Sequence, residues 1–128
     1  MARVLVIEDN PQNLKLAQLL LQRAGHVVLT APDGEAGLDR ARADPPDLIL
    51  MDVQMPGIDG LSVTRLLKSE AATAGIKVVA LTALAMKGDA ERILAAGCDA
   101  YLAKPFQYNE LVAVVDQVLA ARAATIRG

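Results

Sequence analysis

At 128 residues, 53% hydrophobic and 22% charged, the chain has the length of one domain and too much apolar content to stay disordered. A net charge of −2, with 13 Lys and Arg scattered along the sequence, offers no phosphate-tracking surface and excludes direct DNA or RNA binding as an expectation. The single Cys98 excludes an internal disulfide framework, and no apolar run is long enough for membrane insertion or an export signal, so a cytoplasmic domain is expected.

Five short aliphatic runs mark strands, at 4–7, 27–29, 48–51, 76–81 and, more weakly, 100–102. Runs that are apolar without alternation suit strands buried on both faces, as in a parallel sheet. Helical patterns fill the intervals. Asn10-Pro11 places a cap before a helix-initiating proline, and Gly25 ends a stripe of Leu14, Ala17, Leu21 and Ala24. A second helix opens at Asp33-Gly34-Glu35 and stops before Pro45-Pro46, and a third runs from about 59 to 68. The fourth spans about 86–96 and stops at Gly97. The fifth runs from about 107 to 122 on a stripe of Leu111, Val114, Val115, Val118 and Leu119, leaving 123–128 as a frayed tail beyond a 1–122 domain. The only aromatic residues are Tyr101, Phe106 and Tyr108, so the core must be aliphatic. Five β-α units with right-handed crossovers give an α/β fold, one parallel sheet between two helix layers.

In such a sheet, ligands bind beyond the carboxyl ends of the strands. Strand one is followed by Glu8 and Asp9, strand three by Asp52, strand four by Thr82, and strand five by Lys104-Pro105. Each like-charged carboxylate pair at about 4 Å costs about 4 kcal/mol at an effective dielectric near 20. Either the acids bind protons or a cation intervenes, and Mg2+, a hard ion that takes oxygen ligands, is the natural candidate. With Lys104 for charge and Thr82 for a hydroxyl, the set suits a carboxylate that accepts a phosphoryl group.

The joint pattern of Glu8-Asp9, Asp52 within Leu50-Met51-Asp52-Val53-Gln54-Met55-Pro56-Gly57-Ile58-Asp59-Gly60, Leu81-Thr82-Ala83 and Ala103-Lys104-Pro105-Phe106 resembles the receiver domain of bacterial two-component response regulators. The likeness runs from about residue 3 to residue 122 and is greatest to single-domain regulators of the DivK kind and some hybrid-kinase receivers. It implies a (βα)5 flavodoxin-like, CheY-like sandwich with strand order 2-1-3-4-5. It implies that Asp52 is the phosphoacceptor, and that Glu8, Asp9, Asp52 and the Gln54 backbone carbonyl hold Mg2+. Thr82 and Lys104 then bind phosphoryl oxygens, and the Lys104-Pro105 bond is cis. The implied donor is a phosphohistidine on a sensor histidine kinase or a histidine phosphotransfer protein.

The same resemblance makes Thr82 and Tyr101 the switch, with the ring of Tyr101 turning inward when the phosphoryl group arrives. The surface of helix four, strand five and helix five then changes for a downstream protein partner, with Leu84, Ala85 and Met86 adding apolar contact. Gln54 and Leu84 occupy the positions that tune dephosphorylation, and Leu84, unable to polarise water, implies slow loss of the group. At this length there is no room for an appended output domain, so output is a surface offered to a partner. Both a stand-alone regulator and a receiver excised from a longer protein fit the sequence.

Taken singly, most of these residues have ordinary uses. An acidic pair after a strand is usually a solvated turn, Thr82 alone would be a helix cap, and Lys104 alone a surface lysine. Asp59 reads as the cap of helix three, His26 as an exposed structural residue, and Cys98 as a small buried hydrophobe. Two enzyme classes on related folds fit poorly. An Asp-nucleophile phosphatase needs a second acid where Gln54 stands, and a dinucleotide-binding domain needs a phosphate loop where the acidic Glu8-Asp9-Asn10 stands. The remaining alternative is a phosphorylation-independent interaction module on the same fold.

Overall fold

The computed structural model of the protein describes residues 2–83 and 88–127, with side chains as far as residue 121. Among these residues, strands and helices alternate: β1 (Arg3–Ile7), α1 (Pro11–Arg23), β2 (Val27–Ala31), α2 (Gly34–Ala43), β3 (Leu48–Asp52), α3 (Gly60–Ser69), β4 (Lys77–Thr82), α4 (Asp89–Ala95), β5 (Ala100–Ala103) and α5 (Tyr108–Arg127). Every strand pair is parallel, and the sheet runs β2-β1-β3-β4-β5, the expected order.

The continuous aliphatic runs are explained by burial on both faces. Along β3, Ile49 and Met51 join Leu5, Ile7, Val78 and Ala80 against α2, α3 and α4. Leu48 and Leu50 point the other way, with Val4, Val6, Val79 and Leu81, against α1 and α5. The second of these layers is closed by Ala17, Leu21, Leu111, Val115 and Val118, which fall on the predicted helix stripes. Leu50 has no solvent exposure, so Leu50→Ala is expected to cost about 2–5 kcal/mol, read from the midpoint of urea unfolding.

The helix ends follow local chemistry. The Asn10 side chain accepts from the backbone N–H of Gln12 (2.9 Å) and Asn13 (3.1 Å), ahead of Pro11. Asp33 accepts from Ala36 N–H at 2.8 Å and Asp59 from Ser62 N–H at 2.9 Å, each capping its helix. The Ser62 bond also keeps the Asp59 carboxyl below its usual range. Gly25 and Gly97, with φ of 95° and 108°, supply the left-handed turns after α1 and α4. Cys98 is buried as expected, its Sγ 3.7 Å from Thr64 Oγ1.

Three details differ from the expectation. Helix five continues to Arg127, where Ala120, Ala121, Ala123 and Ala124 are strong helix formers. Ile76 lies outside β4, because its N–H donates to Thr73 O (3.1 Å) in the preceding turn. His26 is half-buried, its Nδ1 accepting from Ala2 N–H at 3.2 Å. The fourth helix is described from Asp89; Leu84, Ala85 and Met86 lie outside the described residues. Among the described residues, no helix is long and apolar enough to cross a membrane.

Candidate functional site

The sheet register assembles an acidic cleft at the carboxyl ends of the central strands. Ile7 pairs with Met51, so the next residues, Glu8 and Asp52, emerge side by side. Asp52 in turn pairs with Leu81, and Val53 N–H donates to Leu81 O at 3.0 Å. Thr82 pairs with Ala103, and Lys104 N–H donates to Thr82 O at 2.8 Å, which fixes the start of the loop after β5. The Lys104-Pro105 bond is cis.

One ligand oxygen from each of Glu8, Asp9 and Asp52 lies within 4.8 Å of the others. Glu8 and Asp52 are buried, whereas Asp9 is exposed at the rim. Lys104 Nζ approaches from β5, 3.3 Å from Asp52 Oδ1 and 3.5 Å from Glu8 Oε1. The backbone N–H of Gln54 donates to the same Asp52 oxygen at 3.1 Å. Thr82, buried, ends the neighbouring strand. Two clefts border the cluster's flanking loops. One of about 350 Å³ is lined by Asn13, Leu81, Lys104 and Phe106, the other, of about 550 Å³, by Gln54, Asp59, Arg65 and Arg92.

Charge is unbalanced in this cleft. Burial, and then a proton shared with Asp52, pushes the Glu8 carboxyl up to about 7. Glu8 Oε2 is buried and receives no donor. Three carboxylates against one lysine, one of them with an orphaned oxygen, form a donor set that fits a hard divalent cation with all-oxygen ligands. Glu8, Asp9 and Asp52 are the residues able to hold it.

The remaining sequence candidates fall outside this cluster. Tyr101 lies on β5 opposite Ala80 and is 44% exposed. Leu84 lies outside the described residues. Asn13, which the sequence did not single out, offsets part of the rise in the Glu8 pKa. Its only signal was its place in the first turn of α1, one helical turn after the acids.

A doubly wound five-stranded parallel sheet with an acidic cluster at the carboxyl ends of its central strands is the arrangement of receiver folds. Residues 4–116 match the response regulator receiver domain family, and the chain belongs to it. It is therefore a receiver domain of two-component systems, and such domains are signalling proteins rather than enzymes that turn over a separate substrate. The chain is 42% identical over 116 residues to the polar-differentiation response regulator DivK of Brucella ovis, covering 91% of this chain and 94% of that one. Among solved structures it resembles the receiver domain of the sensor histidine kinase PA1611 from Pseudomonas aeruginosa PAO1, which has a magnesium ion coordinated in its active-site cleft. That match has a TM-score of 0.86 and 35% identity, covering 93% of this chain and 98% of the other. It also resembles chemotaxis protein CheY4 of Vibrio cholerae, with a TM-score of 0.87 and 28% identity over 92% of this chain and 98% of that one.

Proposed function

We propose that the protein accepts a phosphoryl group on Asp52 from a phosphohistidine of a sensor histidine kinase or phosphotransfer protein, with Mg2+ as cofactor. The observation that carries this reading is the meeting of Glu8, Asp9 and Asp52 oxygens within 4.8 Å, with Lys104 Nζ 3.3 Å from Asp52. Glu8, Asp9, Asp52 and the Gln54 carbonyl would hold the ion. Magnesium, when bound, neutralises the carboxylates and the incoming phosphoryl oxygens.

The chain's own groups do the rest. Asp52 offers a carboxylate oxygen to phosphorus as the N–P bond breaks and the donor imidazole leaves with that bond's electron pair. Lys104 is already in contact with Asp52 and meets a phosphoryl oxygen, and Thr82, from the adjoining strand end, offers its hydroxyl to another. The Gln54 N–H fixes the Asp52 carboxyl by its bond to Oδ1. The Gln54 side chain, exposed beside the acceptor, and Leu84 set how readily water removes the group.

The signal leaves through the face formed by α4, β5 and α5. Tyr101 is the moving part: its exposed ring can turn inward toward Thr82 and change the contact offered to a downstream protein. This reading places the protein in the cytoplasm.

Incubation with acetyl phosphate and Mg2+ is expected to add one phosphoryl mass to the protein. Asp52→Ala should abolish it completely. Labelling that survives that substitution would assign the acceptor elsewhere, and no labelling of the parent protein would favour the phosphorylation-independent interaction module.

A further inference from the structure

Gly60 is the first residue of α3 and is not among the glycines with positive φ. Alanine is the better helix former, so the helix itself gives no reason for glycine here. The reason lies in what faces it. A Cβ on Gly60 would collide with the carbonyl oxygen of Asp52, lie 2.9 Å from Val53 Cα and 3.0 Å from Met51 Cγ. Ordinary van der Waals contact begins at 3.4 Å. The first two obstacles are the backbone of the acceptor segment, which cannot rotate aside as a side chain can.

Gly60 is also bonded to that segment. Its N–H donates to Val53 O at 3.1 Å, closing the loop that starts at Asp52 and contains Gln54. Behind it, the fully buried Thr64 hydroxyl donates to Gly60 O at 2.9 Å and holds the first turn of α3 in place. Within the loop, Gln54 N–H meets Asp52 Oδ1 at 3.1 Å. The turn, the loop and the acceptor carboxyl are thus one hydrogen-bonded unit, seated only because residue 60 has no side chain.

We propose that Gly60 is a positioning residue for phosphoryl transfer, its bare Cα letting the first turn of α3 seat against the Asp52 peptide and fix the Asp52 carboxyl and the Gln54 carbonyl. The inference rests on Asp52 being the acceptor. Reacting groups tolerate only about 0.5 Å of misplacement, and about 1 Å costs on the order of 100-fold in rate.

The test is the rate of Asp52 labelling of the full chain by acetyl phosphate at saturating Mg2+, with the Mg2+ dependence of that rate as a second readout. Gly60→Ala is expected to be roughly 10- to 100-fold slower while folded, with a weaker apparent Mg2+ affinity. Val115→Ala, which destabilises the opposite layer, should label like the parent. Equal rates for these two variants would overturn the proposal. If Gly60→Ala does not fold, Thr64→Val, which removes only the hydroxyl held to Gly60 O, carries the test. It is expected to label several-fold more slowly, and a parent-like rate would overturn the proposal. Failure of the parent to label at Asp52 would instead remove the acceptor reading on which the inference stands.

Discussion

Lys104→Met is expected to slow phosphorylation of Asp52 by on the order of 100- to 1,000-fold at saturating Mg2+. Lys104 makes the ion pairs to both Glu8 and Asp52 that the described residues contain, at 3.5 and 3.3 Å. It is 21% exposed, so its charge acts where water screens poorly. Methionine keeps the stem's length and apolar character, so the loss isolates the charge. Lys104→Arg should recover part of the rate only, because a planar guanidinium cannot place a point charge between two carboxylates as an ammonium does. The initial rate of acetyl phosphate labelling checks both variants. A Lys104→Met protein labelling at the parent rate would leave the lysine with a structural role.

Glu8→Gln is expected to raise folding stability and to weaken the cation site. With its pKa raised from 4.5 to about 7, Glu8 disfavours the folded state whenever it is ionised. Below pH 4.5 both folded and unfolded chains hold the proton and nothing is lost. As pH rises from 4.5 to 7 the unfolded chain releases its proton first, and folding stability falls; above 7 the full penalty is present. In chelator at pH 8, glutamine should therefore add on the order of 1–3 kcal/mol, and near pH 4 close to none. Its amide can also donate to Asp52, where the parent leaves Oε2 without a donor. Mg2+ affinity, read by calorimetry, should fall by about 10-fold or more. Urea unfolding at the two pH values settles the matter, and an equal gain at both would contradict the electrostatic account.

The strands were legible because burial on both faces leaves an unmistakable mark, as in Leu48-Ile49-Leu50-Met51. Glu8, Asp9, Asp52 and Lys104 were legible because the first polar residues after such strands fall at the ligand-binding edge of the sheet. The strand order came from family resemblance, since nothing in the aliphatic runs says which neighbour each strand takes. Other features depend on packing that a one-dimensional pattern does not carry. Glu8 and Asp9 are adjacent acids, yet only the first turns into the interior, and burial there pushes the Glu8 carboxyl up. Gly60 carries no mark of its role in the sequence, because the carbonyl it accommodates lies eight positions earlier in the chain. The resemblance named Tyr101 as a ring that turns inward, but its exposure of 44% follows from packing around β5 that the sequence does not carry.

The pairing of Ile7 with Met51 has a consequence for how errors in folding are removed. β1 and β3 are aliphatic on both sides, so sliding one past the other by a residue would still bury Val, Leu, Ile and Met and would change the oily contacts little. The same slip would send Glu8 and Asp52 to opposite faces of the sheet. Hydrophobic matching therefore proofreads this alignment weakly, and the acidic cleft proofreads it only through a cation that offsets the repulsion of its carboxylates. A divalent cation that binds only the correctly aligned molecule lowers its free energy alone, in proportion to the logarithm of the cation concentration. The cluster proposed to take the phosphoryl group would then also favour, among nearly equivalent ways of stacking the same oily strands, the one that brings its acids together.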